Sequence, residues 1–456
     1  MNAKLKNTFH LSLLPSHFSV FTSYFLTFAF SLFTLNSCTP TEPPKPEKPK
    51  LIELKEITKS CTEIFIKVST KDTLLPVNVT IKRDGKKIIN YYQTKTDTVI
   101  ADTGLTENKT YGYQAIVEGK GEEGKSKEME ITTLPVTSGN YTWQTYTFGN
   151  SNYGSSMLRD VAIIDENDIW AVGEIYADTT GHAYNAVHWN GNKWELKRIS
   201  VKYHNYFITP PLFGIYVFST NDIWLSSGVP IHGDGVNWTL FHLFDMGVLS
   251  SKDGHLTKIW GNSSSNLYYV GNLGTIAHYD GTNWTKIESG TSLNINGIYG
   301  IYKEGTKEEE ILAVGGNILH DTERIILKIT GENQAEIINP QGTIDYPLSS
   351  IWFSKNVKYY VGGSGLYTKY YNENIWKEIS VHKYFIFSIS GNGLNDIAVC
   401  GGIGYVAHFN GINWKNYLEN GLEQISGNYY SLSMKGNKIC VVGIANGKAV
   451  AIIGTR

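Results

Sequence analysis

The sequence predicts an all-β protein with two folded parts: a small sandwich of two sheets, then a ring of repeated four-stranded sheets. Three observations carry that expectation. Short alternating runs bounded by Gly, Asn and Asp recur along a 456-residue chain that holds 45 glycines, 29 tyrosines and 11 tryptophans, with few stretches of helical period. One stretch, Leu256 to Ile287 (LTKIWGNSSSNLYYVGNLGTIAHYDGTNWTKI), reads as four short strands, and its relatives recur from about residue 141 onward. The chain also exceeds the length that one hydrophobic core usually fills, so more than one domain is expected.

Composition narrows the function classes. A formal net charge of −2 gives a nucleic-acid partner no electrostatic support. There are only five arginines, Arg83, Arg159, Arg198, Arg324 and Arg456. The four cysteines make no disulfide framework; Cys400 and Cys440 lie inside apolar strand runs (DIAVCGG, KICVVG) and read as small buried thiols.

Taken in order, the chain begins with Lys4 and Lys6 ahead of an apolar, aromatic run from about Phe18 to Leu35. That is the layout of a secretory signal, although the run also approaches the length of a membrane-spanning helix. Leu35-Asn36-Ser37-Cys38 resembles the bacterial lipobox, with Asn36 an unusual choice within it. The resemblance implies a signal peptide over 1–37 and a lipid anchor on Cys38. Thr39 stands where an aspartate would retain a lipoprotein at the inner membrane, so the resemblance implies a bacterial cell-envelope protein at the outer membrane or cell surface. Residues 38–50 form a linker; its TPTEPPKPEKPK stretch cannot build a core and is expected to extend at about 3.1 Å per residue, reaching roughly 35–40 Å.

Residues 51–135 are the expected sandwich. Glu63-Ile64-Phe65-Ile66-Lys67-Val68 places Ile64, Ile66 and Val68 on one face, Val77 to Lys82 follows, and Arg83-Asp84-Gly85-Lys86 is a hairpin signal. Leu105 lies six residues before Tyr111, a spacing similar to the tyrosine corner of fibronectin type III domains. The resemblance covers this region but for one departure: no tryptophan occurs in it. It implies a spacer or adhesive module.

Residues 136–456 carry seven repeats. First strands start at Asp160, Gly214, Lys258, Gly297, Ser350, Phe387 and Tyr430; second strands recur as DIWAVG at 168, DIWLSSG at 222, LYYVG at 267, ILAVGG at 311, KYYVGG at 358, DIAVCGG at 396 and ICVVG at 439. The third strand and its turn recur as HWNGNKW at 188, HGDGVNW at 232, HYDGTNW at 278 and HFNGINW at 408, where Asn-Gly or Asp-Gly suggests a type I′ turn. The last repeat ends after its third strand, Lys448 to Ile453, while Thr142 to Tyr146 is an orphan strand at the other end. Together they make one sheet, so the expected fold is a seven-bladed β-propeller closed by a shared blade, with a pitch of about 38 to 53 residues. Gly362-Gly363, Tyr370 and Trp376 resemble the kelch spacing. Asp280-Gly281-Thr282-Asn283-Trp284 is similar to a degenerate Asp-box of sialidase-like propellers. Both resemblances imply architecture only.

The repeated His188, His232, His278 and His408 occupy equivalent positions around a ring and cannot converge on one metal ion; they are expected to pack against the hairpin or the blade tryptophan. Trp194, Trp238, Trp284, Trp376 and Trp414 are expected to pack between sheets. Neither metal nor cofactor is expected. Specific function must sit where the repeat is broken: Glu174–Asn185, Lys202–Pro211 and Phe241–His255. Second-to-third loops and fourth-to-first connections share one face, so Tyr176, Asp178, His182, Tyr184, Tyr203, His204, Tyr206, Phe207 and Asp245 form a candidate ligand-binding rim, and Asn317–Arg324 adds His320, Asp321 and Arg324. Aromatic faces beside acids suit sugar rings or a peptide.

Two function classes follow. The first is a surface-tethered binding or scaffolding module with a glycan or protein ligand and a membrane partner through its anchor. The alternative is a glycoside hydrolase or sialidase-like enzyme. Asp160, Glu174, Asp178 and Asp245 supply carboxylates for it, but nothing pairs them in sequence, and the propeller holds few arginines.

Overall fold

The computed structural model describes residues 51–456 apart from 120–121, 180, 182, 304–307, 318–322, 331–333, 339–340, 343 and 382–383. The signal segment, Cys38 and the linker lie outside the described residues, as do His182, His320 and Asp321. Residues 50–456 make one compact unit, and the described chain is all-β apart from three single-turn 3-10 helices.

Residues 51–135 form two facing sheets. One joins Ile52–Lys59, Glu63–Thr70 and Asp97–Thr103; the other joins Lys86–Gln93, Val77–Arg83 and Thr110–Gly119, with Glu122–Lys125 and Met129–Thr132 both paired to the last. Ile64, Ile66 and Val68 do face a common core, with Val77, Val79, Ile81, Tyr113 and Ala115. The Asp84-Gly85 turn has both residues left-handed, at φ 50 and 76, as a type I′ hairpin requires. The Tyr111 hydroxyl accepts a hydrogen bond from the Thr106 amide at 3.0 Å, with Leu105 and Tyr111 both buried.

From Thr142 onward the chain builds a β-propeller. Among the described residues seven successive antiparallel sheets of four strands follow, the strands of the first six pairing in sequence order; the fifth gains an extra parallel strand, Gln341–Gly342, on its outer edge. In the seventh, Gly427–Lys435, Lys438–Ala445 and Lys448–Thr455 are completed by Thr142–Phe148, in register from Ala449 opposite Phe148 to Thr455 opposite Thr142. First strands lie against one another in sequence, and the last against the first, so the innermost layer is a closed ring.

The apolar pattern explains why the ring holds together. A propeller sheet is buried on both faces, so its second strand reads as a continuous apolar run, and alternate residues serve opposite neighbours. Val399 joins the core between the fifth and sixth sheets, while Ala398 and Cys400 join the core between the sixth and seventh. The joint between the seventh sheet and the first is as apolar as the others: Val442, Ala449, Ala451 and Ile453 meet Val161, Ile163 and Ile169. Cys61, Cys400 and Cys440 are free and buried.

The third-to-fourth turns differ from the expected type I′. In them Gly191, Gly235, Gly281 and Gly411 are left-handed, but the preceding Asn or Asp is not. Tyr279 pairs with Trp284, leaving a four-residue loop in which Asp280 Oδ1 accepts from the Thr282 and Asn283 amides at 2.8 and 2.6 Å. The short acid folds back on its own backbone, an Asx turn, and only the next residue needs a positive φ.

Candidate binding face

Strand alternation sorts the connections into two faces. First-to-second and third-to-fourth turns share one; second-to-third loops and fourth-to-first connections share the other. The sandwich sits on the first. Phe65, 1% exposed, packs with Val99 and Ala101 into the core between the fifth and sixth propeller sheets. Buried Glu63 accepts from Lys358 Nζ at 3.0 Å and from the Tyr370 hydroxyl. Asn395 Nδ2 donates to the Pro135 carbonyl at 3.1 Å, and the Thr62 hydroxyl to the Gly411 carbonyl at 3.3 Å. All the propeller partners stand at first-to-second or third-to-fourth turns, so this is the closed face. The rim lies on the opposite, open face.

There the rim residues fall into two groups. In the first sheet's second-to-third loop, the Tyr176 hydroxyl donates to Glu174 at 2.7 Å. Asp178 pairs with Arg198 at 3.4 Å, and that guanidinium lies 4.1 Å over the Tyr184 ring. The second group is built by a hairpin within the Lys202–Pro211 break in the repeat. Val201–Tyr203 pairs with Tyr206–Ile208, and His204 takes the turn at φ 51. His204 Nε2 meets Asp245 at 3.5 Å and His242 Nδ1 meets the same carboxylate at 3.1 Å. Tyr203 lies 4.2 Å from the His204 ring and 4.7 Å from that of His242. Asp245 thus ties the hairpin to the connection that follows the second sheet. His242 was missed in the sequence because only its register against Tyr203 singles it out. Beyond this tie the hairpin offers Tyr206 and Phe207 at 75% and 77% exposure, and the neighbouring connection offers Met246 at 53%. Among the described residues no hydrogen bond, ion pair or ring contact joins the two groups, and His182 lies outside them.

The repeated histidines are structural. His188 stacks on Trp170 at 4.3 Å and donates to Asp168 at 2.9 Å; His232 stacks on Trp224 at 4.1 Å and donates to Asp222 at 2.9 Å. His278 stacks on Tyr268 at 4.3 Å, with Asn266 as its acceptor at 2.7 Å. Each imidazole is cross-strand from its aromatic partner, so it packs on a second-strand ring and not on the tryptophan that follows the turn. Burial pushes His278 below its ordinary pKa, against the pull of Asp280. His408 lacks a stacked ring because Ala398 stands opposite it. It is fully buried instead, bonded to Asp396 at 2.7 Å, with Arg456 reaching the same carboxylate at 2.6 Å. Burial raises Asp396, yet bonds from His408, Arg456 and Asn392 carry it down to about 2.

The four carboxylates considered for hydrolysis are each otherwise engaged. Asp160 accepts from Ser431 Oγ at 2.6 Å and from the Ile215 amide at 3.3 Å, with Lys258 Nζ at 3.1 Å. Glu174, Asp178 and Asp245 hold the partners named above. Among the described residues no group of three or more His, Cys, Asp or Glu is placed to hold a metal ion.

No family model matches the chain, and no curated protein matches it. Its fold does match solved structures. "YCF48 bound to D1 peptide" aligns with a TM-score of 0.51 at 13% identity, over 71% of this chain and 98% of that one. The WD40 propeller domain of Doa1 aligns with a TM-score of 0.50 at 12% identity, over 70% of this chain and 98% of that one. At these identities the likeness shows the β-propeller fold alone.

Proposed function

We propose that this protein is a binding or scaffolding propeller that takes a protein ligand on its open face, with no catalytic step of its own. One observation carries the reading. The sandwich occupies one face, while the opposite face presents Tyr206, Phe207 and Met246, large apolar side chains at more than half exposure on segments that break the repeat. Exposed aromatic side chains gathered on one face are the composition of a protein-docking patch. That one propeller of this fold is described as bound to a peptide is consistent with it.

The wider reading places the chain on a surface. Cys38 is its lipidation site, the Pro-rich segment its stalk, and the module of residues 51–135, read as fibronectin type III-like from its Tyr111 corner, a rigid base under a seven-bladed propeller. The kelch-like and Asp-box-like features count as turn chemistry and assign no substrate. A bacterial outer-membrane or cell-surface location follows from the lipobox resemblance, and such an anchor leaves the open face turned to whatever the stalk presents it to.

The test is crosslinking in cells. With a photoreactive residue at Phe207, one discrete protein adduct is expected; the same residue at Tyr92, exposed on the sandwich, gives none. Glycoside turnover by the purified chain, abolished by Asp178→Asn or Asp245→Asn, would overturn the binding reading in favour of the hydrolase.

A further inference from the structure

Six of the seven first strands carry a β-bulge at the same place, one residue before the segment that lines the innermost ring. The bulged residues are Arg159, Thr257, Asn296, Ser349, Phe387 and Tyr430; in the second sheet Phe213 stands at the equivalent position. Each first strand starts from a fourth-to-first connection, so these seven positions ring the open-face mouth. A bulge re-aims its side chain away from the sheet's ordinary alternation.

On one side of the ring that side chain is a structural latch. Asn296 Nδ2 donates to the Gly316 and Leu348 carbonyls, both at 2.9 Å, and Ser349 Oγ donates to the Gly362 and Ile386 carbonyls. Each ties its own sheet to the next. Thr257, in the third sheet, donates to the Val270 carbonyl of its own sheet at 3.5 Å. The remaining four positions, in the consecutive sixth, seventh, first and second sheets, carry no such latch. They are Phe387, Tyr430, Arg159 and Phe213, all half-buried. Phe387 lies 5.4 Å from Tyr430 and 4.8 Å from Phe385, and the Arg159 guanidinium lies 5.1 Å over Phe213. Phe385, Phe387 and Tyr430 thus form one ring cluster on this arc of the mouth, and in the next two sheets Phe213 stands against the Arg159 cation.

Arg83, Arg198 and Arg456 each pair with a carboxylate, Asp102, Asp178 and Asp396. Arg159 pairs with none among the described residues, and its buried Nε has no hydrogen-bond partner. Its neighbour Asp160 does not serve it, being held by Lys258, Ser431 and the Ile215 amide. Leaving a guanidinium N–H desolvated and unbonded is costly, and the planar fork suits a carboxylate. We propose that this arc receives a peptide carboxylate flanked by an apolar or aromatic side chain, the rings taking the side chain and Arg159 the acid. The proposal rests on the reading of the open face as protein-binding and names its ligand chemistry.

The test is an array of random pentapeptides, shown as free acids and as C-terminal amides beside glycans ending in sialic or uronic acid, probed with the full chain. Peptides with an aromatic or aliphatic residue next to a carboxylate are expected to be retained. Preference for free acids identifies a chain terminus as the source; retention of amides containing Asp or Glu identifies a side chain. Arg159→Gln should weaken retention about tenfold or more, Arg159→Lys should restore part of it, and Lys193→Gln, at a turn on the closed face, should change nothing. Retention indifferent to Arg159, retention of neutral amides alone, acidic glycans alone, or no retention at all overturns the proposal. If Arg159→Gln has no effect while the Phe207 crosslink still forms, the arc fails and the open-face reading survives; if the crosslink also fails, both fall.

Discussion

The two faces of the propeller are made from the same repeat and have opposite fates. On the closed face the polar side chains at the sandwich seam and in the turns are largely spent on structure. Glu63 meets Lys358 and Tyr370, Asp396 meets His408 and Arg456, and the Asx turns cap themselves. On the open face aromatic side chains stand uncovered, Arg159 has no acid among the described residues, and the His204–Asp245 pair is exposed. The difference teaches that regular turns leave room for a flat neighbour to dock. Irregular connections keep docking sites only where a foreign chain can reach them.

The contrast is broken most severely at its best-connected point. Asp396→Ala leaves Arg456 and buried His408 without their carboxylate, and should cost about 3–5 kcal/mol in denaturant unfolding. Phe65→Ala, at the sandwich–propeller seam, should cost about 3–4 kcal/mol and open the chain near residues 133–140 to limited proteolysis; unchanged proteolysis would mean the sandwich does not depend on this seam.

The acid limb of stability sharpens the comparison. The folded pKa of Asp396, about 2, lies below the ordinary carboxylate value of about 3.9. Its contribution is therefore complete above pH ~4 and is lost as pH falls from ~4 toward ~2. Asp396→Asn should flatten that part of a pH–stability profile measured by denaturant unfolding.

The smallest effect on stability belongs to the open face itself. Phe207→Ser should shift unfolding by less than about 0.5 kcal/mol while removing the crosslinked partner. A large stability loss would show that the hairpin tip is structural.

Much of the fold was legible because the repeat is periodic in the residues that bury it. The continuous apolar runs at DIWAVG and KYYVGG, and the orphan strand Thr142–Phe148 that pairs with Lys448–Thr455, follow from spacing alone. The turn type was misjudged because Asn-Gly and Asp-Gly serve two geometries, and loop length, fixed by the pairing of Tyr279 with Trp284, decides between them. In the candidate site, Tyr206 and Phe207 were legible as breaks in the repeat. His242 and Arg159 were not: one depends on a contact between two connections, and the other looks like any strand residue until its bulge and its missing acid are seen.

By itself, then, the sequence determined the all-β class, the repeat and its strand order, because apolar periodicity and turn residues are local properties. The tertiary structure alone decided which face the sandwich covers, which histidines are stacked into the sheets, and that Arg159 has no carboxylate partner among the described residues. Those depend on residues hundreds of positions apart, Glu63 against Lys358 and Asp160 against Ser431, which no local pattern brings together.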